Sequence, residues 1–151
     1  MSDYSIIIST FLRPMKLEQC LQSILQIPIS CGPSRVVIAD DGEANNKKEQ
    51  IYDKYLDRLP LSVVDLPYDA GLAKKRNEGL NRISDEFVLL LDDDQYVPSD
   101  VHELTAIFDE NPQLGGIAPF WVENGLMKCN AANFYFKRGW ALKRGDNAEC
   151  E

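Results

Sequence analysis

Five apolar residues, Phe87-Val88-Leu89-Leu90-Leu91, run without a break into three aspartates, Asp92-Asp93-Asp94. No other stretch constrains the fold as tightly. A run this short and apolar on both sides reads as a buried strand. Three adjacent carboxylates at its end repel one another and are costly unless something cationic sits there. The fold must therefore carry the end of a buried strand to a place where positive charge can gather. The junction has two weaker echoes. Val36-Val37-Ile38-Ala39 ends in Asp40-Asp41-Gly42, and Ser5-Ile6-Ile7-Ile8-Ser9 ends in Thr10.

Helical patterns lie between these runs. Pro14 suits the first position of a helix, and Leu17, Leu21, Ile24 and Leu25 then form its apolar stripe. Cys31-Gly32-Pro33 is a turn. Ile51, Tyr52, Tyr55 and Leu56 mark one face of a second helix. Leu61 to Leu66 is a third strand, and Gly71 to Ile83 a third helix with the stripe Leu72, Leu80 and Ile83. Ser99 or Asp100 is expected to cap a fourth, with Val101, Leu104 and Phe108 inward and Asn111-Pro112 as its stop. Strand and helix in alternation predict an α/β fold, a mainly parallel sheet with helices on both faces. Such sheets bind ligands at the carboxyl ends of their strands, where Thr10, Asp40, Asp41 and Asp92 to Asp94 fall. After Pro112 the alternation stops. Gly115-Gly116, Gly125 and the run Phe134-Tyr135-Phe136 suggest antiparallel ribbons.

Composition narrows the function. The chain has 151 residues, 44% of them apolar and 26% charged, which reads as a single globular domain. Its net charge of −8 disfavours a nucleic-acid partner. The single histidine, His102, rules out a site built on two histidines. Cys20, Cys31, Cys129 and Cys150 are unclustered, and the N-terminus lacks the pattern of a secretion signal, so reduced thiols and a cytoplasmic location are expected. No apolar run is long enough for an integral membrane segment. The glycine motifs of dinucleotide, P-loop and hydrolase sites are absent.

Charge is also unevenly placed. No Lys or Arg occurs from Ile83 to Met127, whereas Lys74, Lys75, Arg76 and Arg82 crowd the third helix. An anionic ligand bridged by a metal satisfies both halves. Oxygen ligands beside a phosphate indicate Mn²⁺ or Mg²⁺. If the strand stays extended, Asp92 and Asp94 face one ligand together, with Asp93 opposite. Arg76 lies four residues from both Leu72 and Leu80, inside the apolar stripe, where a charge is either paired or used. A plain reading stands beside each of these. A run of aspartates is often a solvated turn, Asp-Gly is strong turn chemistry, and an arginine can snorkel from a helix edge. Two acidic strand ends in one sheet outweigh the first two.

Four ordered segments, SIIISTFLRP, VVIADDG, DAGLAKKRNEGL and EFVLLLDDDQYVP, resemble the family 2 glycosyltransferases of GT-A fold over roughly residues 4 to 122. DAGLAKKRN and the aspartate triplet also resemble N-acetylgalactosaminyltransferase-type enzymes. The resemblance implies a nucleotide-sugar donor, usually a UDP-sugar, a Mn²⁺ or Mg²⁺ ion, and inverting transfer to the hydroxyl of a saccharide or other acceptor. It implies that Thr10, Arg13, Asp40, Asp41 and Arg76 border the nucleotide. Asp92 and Asp93 then serve the ribose side, and Asp94 with Asp92 the metal. It makes 1–112 the nucleotide-binding half and 113–151 the start of an acceptor-side region. A cation on the departing diphosphate and a carboxylate base for the acceptor suffice for this chemistry. The family's base comes from a later acidic motif, and Asn133 to Arg138 resembles the segment before it. The base is thus expected beyond Glu151. Asp146, the candidate within the chain, is matched better to an aspartate just before the base. The chain therefore reads as C-terminally short, and the alternative is a module that binds nucleotide-sugar and metal without transfer. A phosphoryl-accepting domain of flavodoxin-like type expects an acidic pair after strand one and a lone acceptor after strand three. Ser9-Thr10 and Leu66-Pro67 stand there instead. Trp121, Tyr135 and Trp140 are suited to sugar stacking, although packing is the commoner use.

Overall fold

The computed structural model describes residues 3–117 and, beyond them, the backbone of four short strands. The chain divides into two compact units, Met1–Asn111 and Pro112–Glu151. The first runs β1 (Tyr4–Thr10), α1 (Pro14–Ile24), β2 (Arg35–Asp40), α2 (Asn46–Leu56), β3 (Leu61–Asp65), α3 (Leu72–Leu80), β4 (Phe87–Asp92) and α4 (Leu104–Glu110). Its strands form one parallel sheet in the order β3-β2-β1-β4.

This order fixes where a ligand can sit. The first two crossovers step from β1 to β2 to β3, and the third returns past both to β4. With right-handed connections, the reversal moves the third helix to the opposite face. Two separate cores follow from it. Ile6, Ile8, Val36 and Ile38 pack with Leu17, Leu21, Ile24, Ile51 and Tyr55 on one side. Ile7, Val37 and Val64 pack with Leu66, Ile83 and Val88 on the other. The uninterrupted Ile6-Ile7-Ile8 is what a central strand covered on both faces needs. Between β1 and β4 the connections diverge, and the carboxyl ends of those two strands are where sheets of this kind form their ligand crevice.

Pro14 opens α1 as the sequence suggests, and Arg13 before it spends no side-chain bond on capping. Asn45 caps α2 by accepting from the Lys48 amide at 3.0 Å. Helix α3 departs from expectation. It is shorter than Gly71 to Ile83, and Leu72 and Leu80 are each 44% exposed. Lys75 and Gly79 form the inward face instead. Gly79 explains the rotation, since a methyl there would lie 2.7 Å from Ile7 Cγ2. The missing side chain lets the helix close on β1, and the 75/79 line turns inward with it. The fourth helix also differs. Neither Ser99 nor Asp100 caps it; a 3₁₀ turn over Val101–Glu103 leads into α4, and Phe108 packs on Phe87 at 4.8 Å between ring centroids.

In the second unit β5 (Trp121–Glu123) pairs antiparallel with β6 (Leu126–Lys128), and β7 (Asn133–Lys137) with β8 (Trp140–Arg144). These are the ribbons that the glycines and aromatics suggest. The side chains of Trp121, Tyr135 and Trp140, and the whole of Asp146 and Glu151, lie outside the described residues. Among the described residues, no helix is long and apolar enough to cross a membrane.

Candidate functional site

Strand β4 ends at Asp92 and the chain turns at once. The Gln95 amide donates to the Asp92 carbonyl at 3.1 Å, and the Gln95 side chain accepts from the Asp92 amide at 2.9 Å. The extended geometry expected through Asp94 therefore stops two residues early, and the three aspartates part. Asp93 is wholly buried. It accepts from the Thr10 hydroxyl at 2.7 Å, and Arg13 grips it with Nη2 at 2.5 Å and Nε at 3.3 Å. The same arginine reaches Asp94 through Nη1 at 2.9 Å. Asp92 stands apart, 3.5 Å from Arg76 Nη2. Asp92 and Asp94 both reach solvent, and Asp94 shares its arginine with Asp93.

Burial pushes the Asp93 carboxyl above its ordinary value, and the Thr10 hydroxyl and the Arg13 charge pull it back only in part. Beneath it, burial and then the charges of Asp93 and Asp94 raise the Cys20 thiol to about 12. Cys20 is a packing residue with no thiolate to offer.

Asp40 and Asp41 are equally buried and fully engaged. Asp40 accepts from the Tyr52 hydroxyl at 2.5 Å and the Gly42 amide at 2.9 Å, and it pairs with the Lys48 ammonium. Asp41 accepts from Lys75 Nζ at 2.8 Å and from the Gly71 amide at 2.9 Å. Burial alone would raise Asp41, but Lys75 and the Gly71 amide outweigh it and hold the carboxyl below its ordinary value. The two lysines also bind backbone. Lys48 donates to the Gly42 and Glu43 carbonyls at 3.2 and 2.9 Å, and Lys75 to the Thr10 carbonyl at 3.3 Å. One pair comes from α2 and the other from α3, so the end of β2 is clamped from both faces. The carboxylates of Asp40 and Asp41 are spent inside the protein, and they set the course of the loops beside the crevice.

Lys48 and Lys75 escape a reading of the sequence that looks for apolar stripes, and Tyr52 enters it only as a packing residue. Lys75 carries one usable sign, its position four residues before Gly79 in the last turn of the helix, where a close approach brings its own side of the helix inward. Arg76, placed in the stripe by that reading, sits at its half-exposed edge.

Phe11 and Tyr68 meet at the rim with ring centroids 5.5 Å apart, and Lys75 Nζ lies 5.8 Å from the Phe11 ring centre. Leu12 between Phe11 and Arg13 has φ 53°, the left-handed region that a branched side chain rarely enters. Its amide would lie 3.0 Å from a Cβ added at Gly42, so the two loops touch through a glycine.

The outward pair, Asp92 and Asp94, offers hard oxygen donors of the kind Mg²⁺ and Mn²⁺ accept. Among the described residues no three His, Cys, Asp or Glu side chains converge to hold a metal by themselves. Two carboxylates with the remaining positions filled by a phosphate-bearing ligand and water is the arrangement Mg²⁺ usually takes. Ser9 Oγ and Arg76 Nε are buried with no hydrogen-bond partner among the described residues. Ser9 is the β1 residue in register with Asp92. Both atoms are donors, the complement of an oxygen-rich ligand.

The sequence pattern of glycosyl transferase family 2 matches residues 5–141. The amylovoran biosynthesis glycosyltransferase AmsE of Erwinia amylovora is 28% identical over 74% of this chain and 42% of its own length. A poly-beta-1,6-N-acetyl-D-glucosamine synthase of Staphylococcus epidermidis is 28% identical over 75% of this chain and 27% of its own. The chain thus spans less than half the length of these relatives. Among solved structures, residues 1–349 of S. aureus TarS in complex with UDP-GlcNAc superimpose with a TM-score of 0.63 and 29% identity, covering 73% of this chain and 32% of that one.

Proposed function

The chain belongs to glycosyl transferase family 2, and from that premise we propose that its first unit binds the nucleotide diphosphate of a sugar donor, a UDP-sugar, at the end of β1 and β4. One observation carries the reading: the buried Asp93, fixed by Thr10 and Arg13, leaves Asp92 and Asp94 outward at the point where the sheet's connections diverge. The UDP-GlcNAc complex of TarS, similar in fold and 29% identical, supports the choice of nucleotide. The whole protein is then a transferase that moves the sugar to a hydroxyl of a saccharide acceptor, and the polysaccharide-forming relatives support that class.

The residues divide the work. Thr10 and Arg13 hold Asp93 and so set the turn after β4. Lys48 with Asp40 and Lys75 with Asp41 fix the loops that border the nucleotide. Arg76, its Nε without a partner among the described residues, and Ser9 supply donors toward the diphosphate. Mn²⁺ or Mg²⁺ held by Asp92 and Asp94 would neutralise the charge that builds on the departing diphosphate. The acceptor's proton goes to a base outside the described residues, where Asp146 also lies. Free Cys20 and Cys31 suit a reducing, cytoplasmic setting.

Calorimetric titration of UDP and of GDP, with and without Mn²⁺, tests the donor site. The expected result is Mn²⁺-dependent binding of UDP that Asp94→Ala abolishes. Absence of binding for both nucleotides in either condition overturns the reading.

A further inference from the structure

The two carboxylates assigned above to a metal are both already in the grip of arginines. Arg13 Nη1 lies 2.9 Å from Asp94 Oδ2, while its Nη2 and Nε rest on Asp93. Arg76 Nη2 lies 3.5 Å from Asp92 Oδ1. Three carboxylates thus face two guanidiniums, and most of the charge that would draw a cation is cancelled in advance. Arg13 is anchored on Asp93 at its inner edge, but the outer arms of both arginines reach solvent. Their side chains are 49% and 36% exposed, whereas Asp93 is sealed at 0%. A guanidinium fork matches the oxygens of a phosphate as well as those of a carboxylate.

We propose that Arg13 and Arg76 are exchange partners. In the nucleotide-free protein they occupy Asp94 and Asp92. An arriving diphosphate draws Arg76 and the Nη1 arm of Arg13 onto its own oxygens, while Arg13 keeps its Nη2 on the buried Asp93, and the two outer carboxylates pass to the divalent cation. This rests on the donor-site reading above and adds an order to it. Cation alone meets two positive charges; cation with nucleotide meets two free carboxylates. The exchange makes the two ligands cooperative by a route separate from direct contact between metal and phosphate. Linkage makes the effect reciprocal, so the factor by which UDP tightens Mn²⁺ equals the factor by which Mn²⁺ tightens UDP.

The test is the Mn²⁺ affinity of wild type, Arg13→Gln and Arg13→Lys, read from the electron paramagnetic resonance of free Mn²⁺, with no nucleotide and with saturating UDP. Without UDP, Arg13→Gln is expected to bind Mn²⁺ about tenfold more tightly, the effect of removing one positive charge a few ångströms from a divalent ion in a wet site. With UDP present its affinity matches wild type, since the arginine has already left Asp94. The coupling factor therefore falls by the same ratio. Arg13→Lys keeps a charge for the buried Asp93 but lacks the second arm, so it shows a smaller change in the same direction and serves if the Gln variant does not fold. Equal tightening with and without UDP means that the arginine never leaves Asp94, and overturns the exchange. So does unchanged Mn²⁺ binding in both variants, with the donor site left standing because UDP-loaded wild type still takes the metal. If UDP-saturated wild type binds no Mn²⁺, exchange and metal site fall together.

Discussion

At the scale of single residues, buried charge decides most. Lys75 and Asp41 are both buried, and each has its partner. Lys75→Met leaves a carboxylate without its counter-charge and is expected to cost about 3–5 kcal/mol, the usual penalty for breaking a buried pair from one side. Urea unfolding measures it, and a loss near zero would mean that water reaches Asp41. Thr10→Val removes one donor to the buried Asp93, and a loss of about 1–3 kcal/mol is expected in the same assay. Leu12 offers the opposite sign. Its left-handed backbone strains any branched side chain, so Leu12→Gly is expected to stabilise by about 1 kcal/mol. An unchanged urea midpoint would count against that strain. The acidic residues of the site are legible in the sequence because adjacent carboxylates after an apolar run have few cheap explanations. Their lysine partners are not, because Lys48 and Lys75 stand in helices among other basic residues and only the packing singles them out.

At the scale of elements, the strands are legible in the sequence, whereas α3 and the start of α4 depart from it. A strand covered on both faces shows itself as a continuous apolar run, and β1 and β2 are such strands; β4 has the same run but lies at the edge of the described sheet, where only Leu91 is buried and Leu90 is 41% exposed. The leucines of α3 suggest one inward face, yet the helix turns Lys75 and Gly79 toward the sheet. Periodicity identifies a stripe but gives no weight to an absent side chain, and here the absence lets the backbone come closest. Gly79→Ala tests this. The added methyl would meet Ile7 at 2.7 Å, an overpacking cost of about 1–3 kcal/mol. Alanine's better helix propensity returns about 1 kcal/mol. A net loss of stability is expected, and a more stable variant would show that β1 and α3 have slack between them.

At the scale of the whole molecule, the charges set a response to acid. Asp41 titrates below its ordinary value, and so does Asp85, to which the Ser34 and Ser5 hydroxyls donate. A lowered carboxyl binds its proton more weakly in the folded chain than in the unfolded one. Its stabilisation is complete above the unfolded value, about pH 4, and is lost as the pH falls through the folded value. Asp93, raised by burial, works against this as it protonates. The urea midpoint is expected to fall on the acid side of about pH 4, and Asp41→Asn to flatten that limb. An unaltered slope in the variant would place the acid response elsewhere. The order of the strands has a consequence of another kind, in time. Thr10 and Asp93 touch across 83 positions of sequence, because β1 waits for β4. At about 5–20 residues per second, a ribosome needs on the order of ten seconds to follow one with the other. During that interval the growing chain can pair β1 with β2 but still lacks the aspartates that complete the end of the sheet, so nothing held at that end can assist its early folding.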